Sequence, residues 1–211
     1  LAEKIIADRV HPGPAGQLLM AAALLKAWGA TPLVTRVVID AGAGTVTESV
    51  NATVTGIQKG AGITWNQLDT VLPMPVNMND PVIALAVKSS DFVETLNQQT
   101  LRVTGLTGAS YTLKINGAVA GTFTGAQLAS GINLAELPTP MAKQAAGVHA
   151  LTLKRTDIHN TRWRQLQVPF QNETLPRMQS IISNLDALDE ECAVRQHAAA
   201  QPSSCFYELI P

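Results

Sequence analysis

Asp8 and His11 stand three residues apart in the stretch DRVHPGPAGQLLMAAALLKAWG, residues 8–29, directly ahead of a Pro-Gly-Pro turn and an apolar run. A neutral imidazole takes a proton from a serine hydroxyl when a carboxylate holds its other ring nitrogen and stabilises the imidazolium that forms. Two side chains at this spacing fold to the same side of a turn, so the pair fits a general base and its orienting acid. It fits a surface ion pair or a helix-capping acid as well. The chain has no Gly-x-Ser-x-Gly elbow to bring a nucleophile to that base.

Other residues invite chemistry less strongly. His149, His159 and His197 lack metal-ligand spacing, and no Cys-x-x-Cys or His-x-x-x-His accompanies them, so no metal or cofactor is expected. Arg162-Trp163-Arg164 suits stacking on a sugar or clamping a carboxylate, but anchoring of a helix or strand edge is the favoured reading. The acids of DALDEEC, residues 186–192, read as a solvated helix face. Met74, Met78 and Met141 read as core filling in preference to an acyl groove.

The elements that must position Asp8 and His11 begin with a helix over residues 15–28. Pro14 is tolerated in its first turn, Leu18, Leu19, Ala22, Ala23, Leu25 and Trp28 make an apolar face, and Gly29 ends it. From Pro32 the texture changes. LVTRVVID, SVNATVTGIQ and GITWNQLD are β-branched runs between Gly-containing turns, and LPMPVNMNDP, residues 72–81, reads as an extended loop. The runs Leu101–Leu106 and Tyr111–Ile115 read as antiparallel sheet, with Asn116-Gly117 as a tight hairpin turn. Two helical stretches follow, and the chain closes after Pro202 with a short extended tail.

The block ADRVHPGPAGQLLMAAALL closely resembles the last conserved block of the SGNH/GDSL hydrolases, where Asp-x-x-His-Pro, a Gly and an apolar helix follow in that order. LNQQTLRVTGL, YTLKINGAVAGTF, GINLAELPTPMAKQA and RWRQLQV resemble the long C-terminal extension of one bacterial branch of these serine esterases, so the resemblance covers essentially the whole chain. It implies an α/β/α hydrolase domain in which His11 is the base for a serine and Asp8 orients His11. Two parts of that family's site are absent here. The chain has no Gly-Asp-Ser for the nucleophile, and Asn77-Met78-Asn79-Asp80 imitates the oxyanion-hole Gly-x-Asn-Asp with Asn77 in the glycine's place and after His11.

The expected architecture is therefore α+β. Residues 1–30 form the end of an SGNH-type α/β/α domain, a turn plus its last helix, and residues 31–211 form an antiparallel β-rich accessory module with C-terminal helices. The expected function is the C-terminal part of an SGNH/GDSL-type serine ester hydrolase, acting on an acetylated carbohydrate or another short acyl ester. Its nucleophile and oxyanion-hole residues are expected on a missing N-terminal half, carried by the same protein or by a second chain, so this polypeptide alone is expected to be inactive. The alternative is a non-catalytic β-rich module that binds carbohydrate or serves as a hydrolase's structural partner.

Composition bounds these readings. Apolar residues make up 46% of 211 and charged ones 15%, which places the chain among globular proteins. A formal charge of −1, from 15 basic and 16 acidic residues, argues against a nucleic-acid partner. No apolar run is long enough for a membrane span. LAEKIIA, residues 1–7, is too short and too charged for a signal peptide, and without an initiating Met the expectation is that something precedes it. A Cys192–Cys205 bridge would contribute about 3 kcal/mol in the chain-entropy model, while two reduced thiols are equally compatible with the sequence. The expected compartment is periplasmic or extracellular.

Overall fold

The structure, a computed structural model, describes residues 5–211; the first four residues of the LAEKIIA segment lie outside the described residues. The fold is α+β and divides into two compact units, one running to Lys143 and resuming at Pro202–Pro211, the other spanning Gln144–Gln201. Among the described residues, no helix is long and apolar enough to cross a membrane.

Helix α1 (Pro14–Ala27) starts from Gly13 with Pro14 in its first turn, and Gly29 follows its end with φ 73°, a left-handed conformation that glycine adopts without strain. Ala22 is buried, and Leu18 and Leu25 pack beside it against helices α2 (Pro81–Lys88) and α3 (Phe92–Leu96) through Val87, Phe92 and Leu96. A Lys26–Asp91 ion pair at 2.6 Å ties α1 to the start of α3. The sequence placed Trp28 and Ala23 on the core face, and both are exposed. Because α1 is apolar almost all round, one flank packs and the other does not: Met20, Leu24 and Trp28, four apart, are 64%, 49% and 74% exposed.

Helices α2 and α3 lie between the extended loop 72–81 and the run from Leu101, a stretch to which the sequence assigned no element. Asp80 supplies the start signal, its Oδ1 accepting the Val82 and Ile83 amides at 2.8 and 3.1 Å. The Asn77–Asp80 run that imitates an oxyanion loop is thus a helix cap.

One sheet has the order β2-β1-β5-β8, built from β1 (Leu33–Asp40), β2 (Thr45–Val50), β5 (Gln98–Thr104) and β8 (Ile132–Asn133). β1 and β5 are parallel and the other pairs antiparallel. The second sheet, wholly antiparallel, has the order β3-β4-β9-β6-β7, from β3 (Ala52–Lys59), β4 (Ile63–Asp69), β6 (Ser110–Ile115), β7 (Ala118–Thr124) and β9 (Ser204–Ile210). The run SVNATVTGIQ breaks at Asn51, φ 55°, so that β2 and β3 enter different sheets; Asn51 Nδ2 donates to the Val34 carbonyl at 3.0 Å. Asn116 and Gly117, φ 53° and 79°, turn the β6–β7 hairpin as expected. Beyond β7 the chain turns helical. Thr124 and Gln127 form a capping box that starts helix α4 (Gly125–Ser130).

The C-terminal tail is not an appendage. β9 lies between β4 and β6, and the indole of Trp65 stacks on Tyr207 at 5.0 Å between ring centroids. Around that pair, Ile39, Leu101, Leu113, Ile115 and Leu209 are fully buried. Met141 joins this core, Met74 packs with the α1–α3 cluster, and Met78 is exposed, so core filling accounts for two of the three methionines.

The second unit contains most of helix α5 (Pro140–Asn160), a π-helical run Thr161–Gln167 and helix α6 (Met178–Ala199). Arg155 grips Asp189 with two bonds of 2.8 and 3.0 Å, and Arg162 holds Asp186 from 2.5 Å. Two acids of the DALDEEC run therefore bind the helices to each other instead of standing free in solvent. Cys192 and Cys205 are both buried free thiols, one in each unit.

Candidate active site

Residues 8–11 form a tight turn in front of α1. Asp8 Oδ1 accepts the amides of Val10 and His11 at 3.0 and 2.7 Å, and Asp8 Oδ2 lies 2.7 Å from His11 Nδ1. A single carboxylate thus closes the turn with one oxygen and holds the imidazole with the other. The backbone passes through Arg9 at φ 64°, a left-handed conformation uncommon for a side-chain-bearing residue, and this bend brings position 11 back over position 8.

Three N–H donors converge on Asp8 and depress its pKa to about 2, with the His11 amide the largest cause, then the His11 ring and the Val10 amide. The carboxylate is therefore anionic throughout the neutral range. Bonded through Nδ1, the imidazole has Nε2 left for a reacting proton, and no residue among those described hydrogen-bonds to it. The His11 side chain is 83% exposed and that of Asp8 55%. The pair faces solvent, open to a hydroxyl arriving from outside the unit.

The turn is seated by α1. Gly13 donates its amide to the Ile5 carbonyl at 2.9 Å, and Gln17 Nε2 reaches back to the Pro12 carbonyl at 3.2 Å. Gly16 is the closest point: a Cβ there would stand 2.8 Å from Pro12 Cβ and 2.9 Å from Ile5 Cγ2. Sequence reasoning missed Arg9 and Gly16 as positioning residues. Gly16 had a visible signal, a glycine inside an apolar helix, whereas nothing in the residue type foretold the bend at Arg9.

The other candidates disperse. His159 Nε2 lies 3.3 Å from Asp189 Oδ2 and His197 contacts Gln201, and no cluster of metal-binding groups occurs among the described residues. Arg164 lies over the Trp163 ring at 5.3 Å while Arg162 is committed to Asp186, so this tripeptide is largely tied up within its own unit. In the first unit a groove of about 570 Å³ is lined by Phe123, Gln127, Ser130, Asn133 and Glu136, among others.

No family model matches the chain, and a comparison with curated proteins found no match. Among solved structures the chain is similar to a gut microbial diltiazem-metabolizing enzyme, at 26% identity and a TM-score of 0.78. The similarity covers 96% of this chain and 55% of that one, so the chain spans about half the length of the enzyme it resembles.

Proposed function

We propose that this chain is the C-terminal part of an SGNH/GDSL-type serine ester hydrolase, with Asp8 and His11 as the acid and base of its triad. The observation that carries the reading is the 2.7 Å contact between Asp8 Oδ2 and His11 Nδ1 in a turn that leaves Nε2 open to solvent. Similarity to an enzyme of nearly twice this length supports it, because the serine and the oxyanion donors then have a polypeptide to reside on. The unpacked flank of α1, Met20, Leu24 and Trp28, offers that polypeptide an apolar surface.

In the proposed reaction His11 Nε2 removes the serine proton as the oxygen attacks the ester carbonyl, and Asp8 stabilises the imidazolium without taking the proton itself. His11 then returns the proton to the leaving alcohol, and water releases the acyl group by the same two steps in reverse order of roles. Acetylated carbohydrates and other short acyl esters are the proposed substrates. The test is His11→Ala in the protein that carries the serine, assayed on p-nitrophenyl acetate. Turnover should fall by about 10⁵-fold or more, the scale seen when a triad base is removed. Near-normal turnover would remove the assignment.

A second reading rests on the groove at Phe123: a non-catalytic module in which the half-buried ring and the polar groups of Gln127, Ser130 and Glu136 hold a sugar. Binding isotherms with polysaccharides decide it, because Phe123→Ala should abolish any saturable binding. Unchanged binding by that variant would place the sugar elsewhere.

A further inference from the structure

Helix α5 runs past Asn160 into the π-helical segment Thr161–Gln167, closed by the Val168 amide donating at 2.9 Å to the Trp163 carbonyl five residues back. π-Helical turns are rare and frequently mark functional sites. Along this junction lies a groove of about 580 Å³, lined by Thr156, His159, Asn160, Arg162, Trp163 and Arg164. Its volume falls within the range of small-molecule sites. Thr156, Asn160 and Arg164 recur every four residues, as do His159 and Trp163, so two adjacent rows of side chains supply the lining. None of the six is an acid.

The two arginines of the groove differ in what they already hold. Arg162 is fully engaged: its Nε and Nη2 bond Asp186, and its Nη1 donates to Gln167 at 2.7 Å. Arg164 is the cation left over. Its guanidinium stands 5.3 Å from the centroid of the Trp163 ring, and no group among the described residues accepts its protons. Stacking on the indole fixes the plane of the guanidinium and keeps its N–H fork for a ligand. Trp163 is 57% exposed even beneath that cation, so much of the indole is open as well. The exposed Asn160 amide has no partner among the described residues. The Thr156 hydroxyl donates to the Thr152 carbonyl at 3.1 Å and can still accept.

We propose that this groove binds a sugar acid, with the Arg164 guanidinium forked onto the carboxylate, the open part of the Trp163 indole against the C–H face of the pyranose ring, and Asn160 and Thr156 bonded to its hydroxyls. An aromatic surface beside a free fork and two uncharged polar groups suits a ligand that is ring, carboxylate and polyol together. The charge count narrows it further. One uncommitted cation balances one carboxylate, whereas a phosphate, at about −1.5 to −2, would enter with charge uncompensated. The site lies wholly within the helical unit, Gln144–Gln201, and requires neither the Asp8–His11 pair nor the groove at Phe123.

Calorimetric titration of the full chain with trigalacturonate and with its methyl ester tests the site, because the two ligands share a backbone and differ in charge. The acid should bind saturably and the ester at least tenfold more weakly, the scale of a lost charge-assisted hydrogen bond. Raising the salt from about 50 to about 500 mM should weaken the acid and leave the ester unchanged. Arg164→Gln should reduce binding of the acid to the level of the ester, and Trp163→Ala should weaken both ligands. Both side chains are exposed, so the urea midpoint of each variant should match the parent, which separates a lost site from a lost fold. Phe123→Ala should bind the acid as the parent does. The proposal is overturned by absence of saturable binding of the acid, by equal binding of acid and ester, by parental binding in Arg164→Gln or Trp163→Ala, or by loss of binding in Phe123→Ala, which would put the sugar in the other groove.

Discussion

Asp8 and His11 bond twice to each other, once through the side chains and once from the His11 amide to the Asp8 carboxylate, at 2.7 Å in both cases. The acid that would tune the base is thus also the acid that shapes the turn presenting it. Orientation and electrostatics are joined in one residue, and substitutions at position 8 should reveal both.

Asp8→Asn keeps the size of the side chain and removes its charge. In the proposed serine hydrolase, kcat should fall by about 10⁴-fold, the magnitude associated with a lost orienting carboxylate. Measuring kcat and KM separately checks it, since a change confined to KM would assign Asp8 to binding.

The Asp8 carboxyl should titrate with a midpoint of about 2, visible as a ¹³Cγ shift in an acid titration. Its folded pKa lies below the ordinary carboxyl value, so the stability it contributes is present above the unfolded pKa and is lost as pH falls through about 2. A midpoint at the ordinary carboxyl value would mean that the turn is not formed in solution.

Gly16→Ala adds a methyl group where Pro12 and Ile5 already stand within 2.9 Å. The turn must move off α1, so the proposed esterase activity should drop while the main core, remote in sequence, keeps its unfolding transition. Steady-state kinetics read beside a thermal melt separate the two, and unchanged kinetics would remove Gly16 as a positioning residue.

Leu209→Ala should cost about 2–5 kcal/mol, because its side chain is fully buried in a strand that has neighbours on both edges. Ending the chain before β9 should abolish cooperative unfolding of the first unit, since β4 and β6 would lose their shared partner. Urea melts followed by the fluorescence of the buried Trp65 measure both.

Replacing Met20, Leu24 and Trp28 together by Ser should leave the fold intact, since all three are exposed. It should weaken association with the proposed serine-bearing polypeptide at least tenfold, measured by light scattering or by complementation of the proposed esterase activity. Equal association would assign the contact to another surface.

The sequence by itself determined the features whose causes are local. Asp8 and His11 are close in the chain, so a turn suffices to join them; Pro14 and Gly29 bracket α1, and Asn116-Gly117 dictates its hairpin through positive φ. The β-branched runs of β1 and β4 were legible for the same reason, as was the α+β class. Tertiary structure decided the rest. β9 looks like a loose tail because nothing in seven residues says that two strands far back in the chain will close on it. Trp28 looks like core because a helix apolar on every side does not declare which flank will find a partner. The bond from Gln99 Nε2 to Asp69 Oδ2, 3.1 Å long, is invisible for the strongest reason: the two residues belong to different sheets and meet only when those sheets are laid face to face.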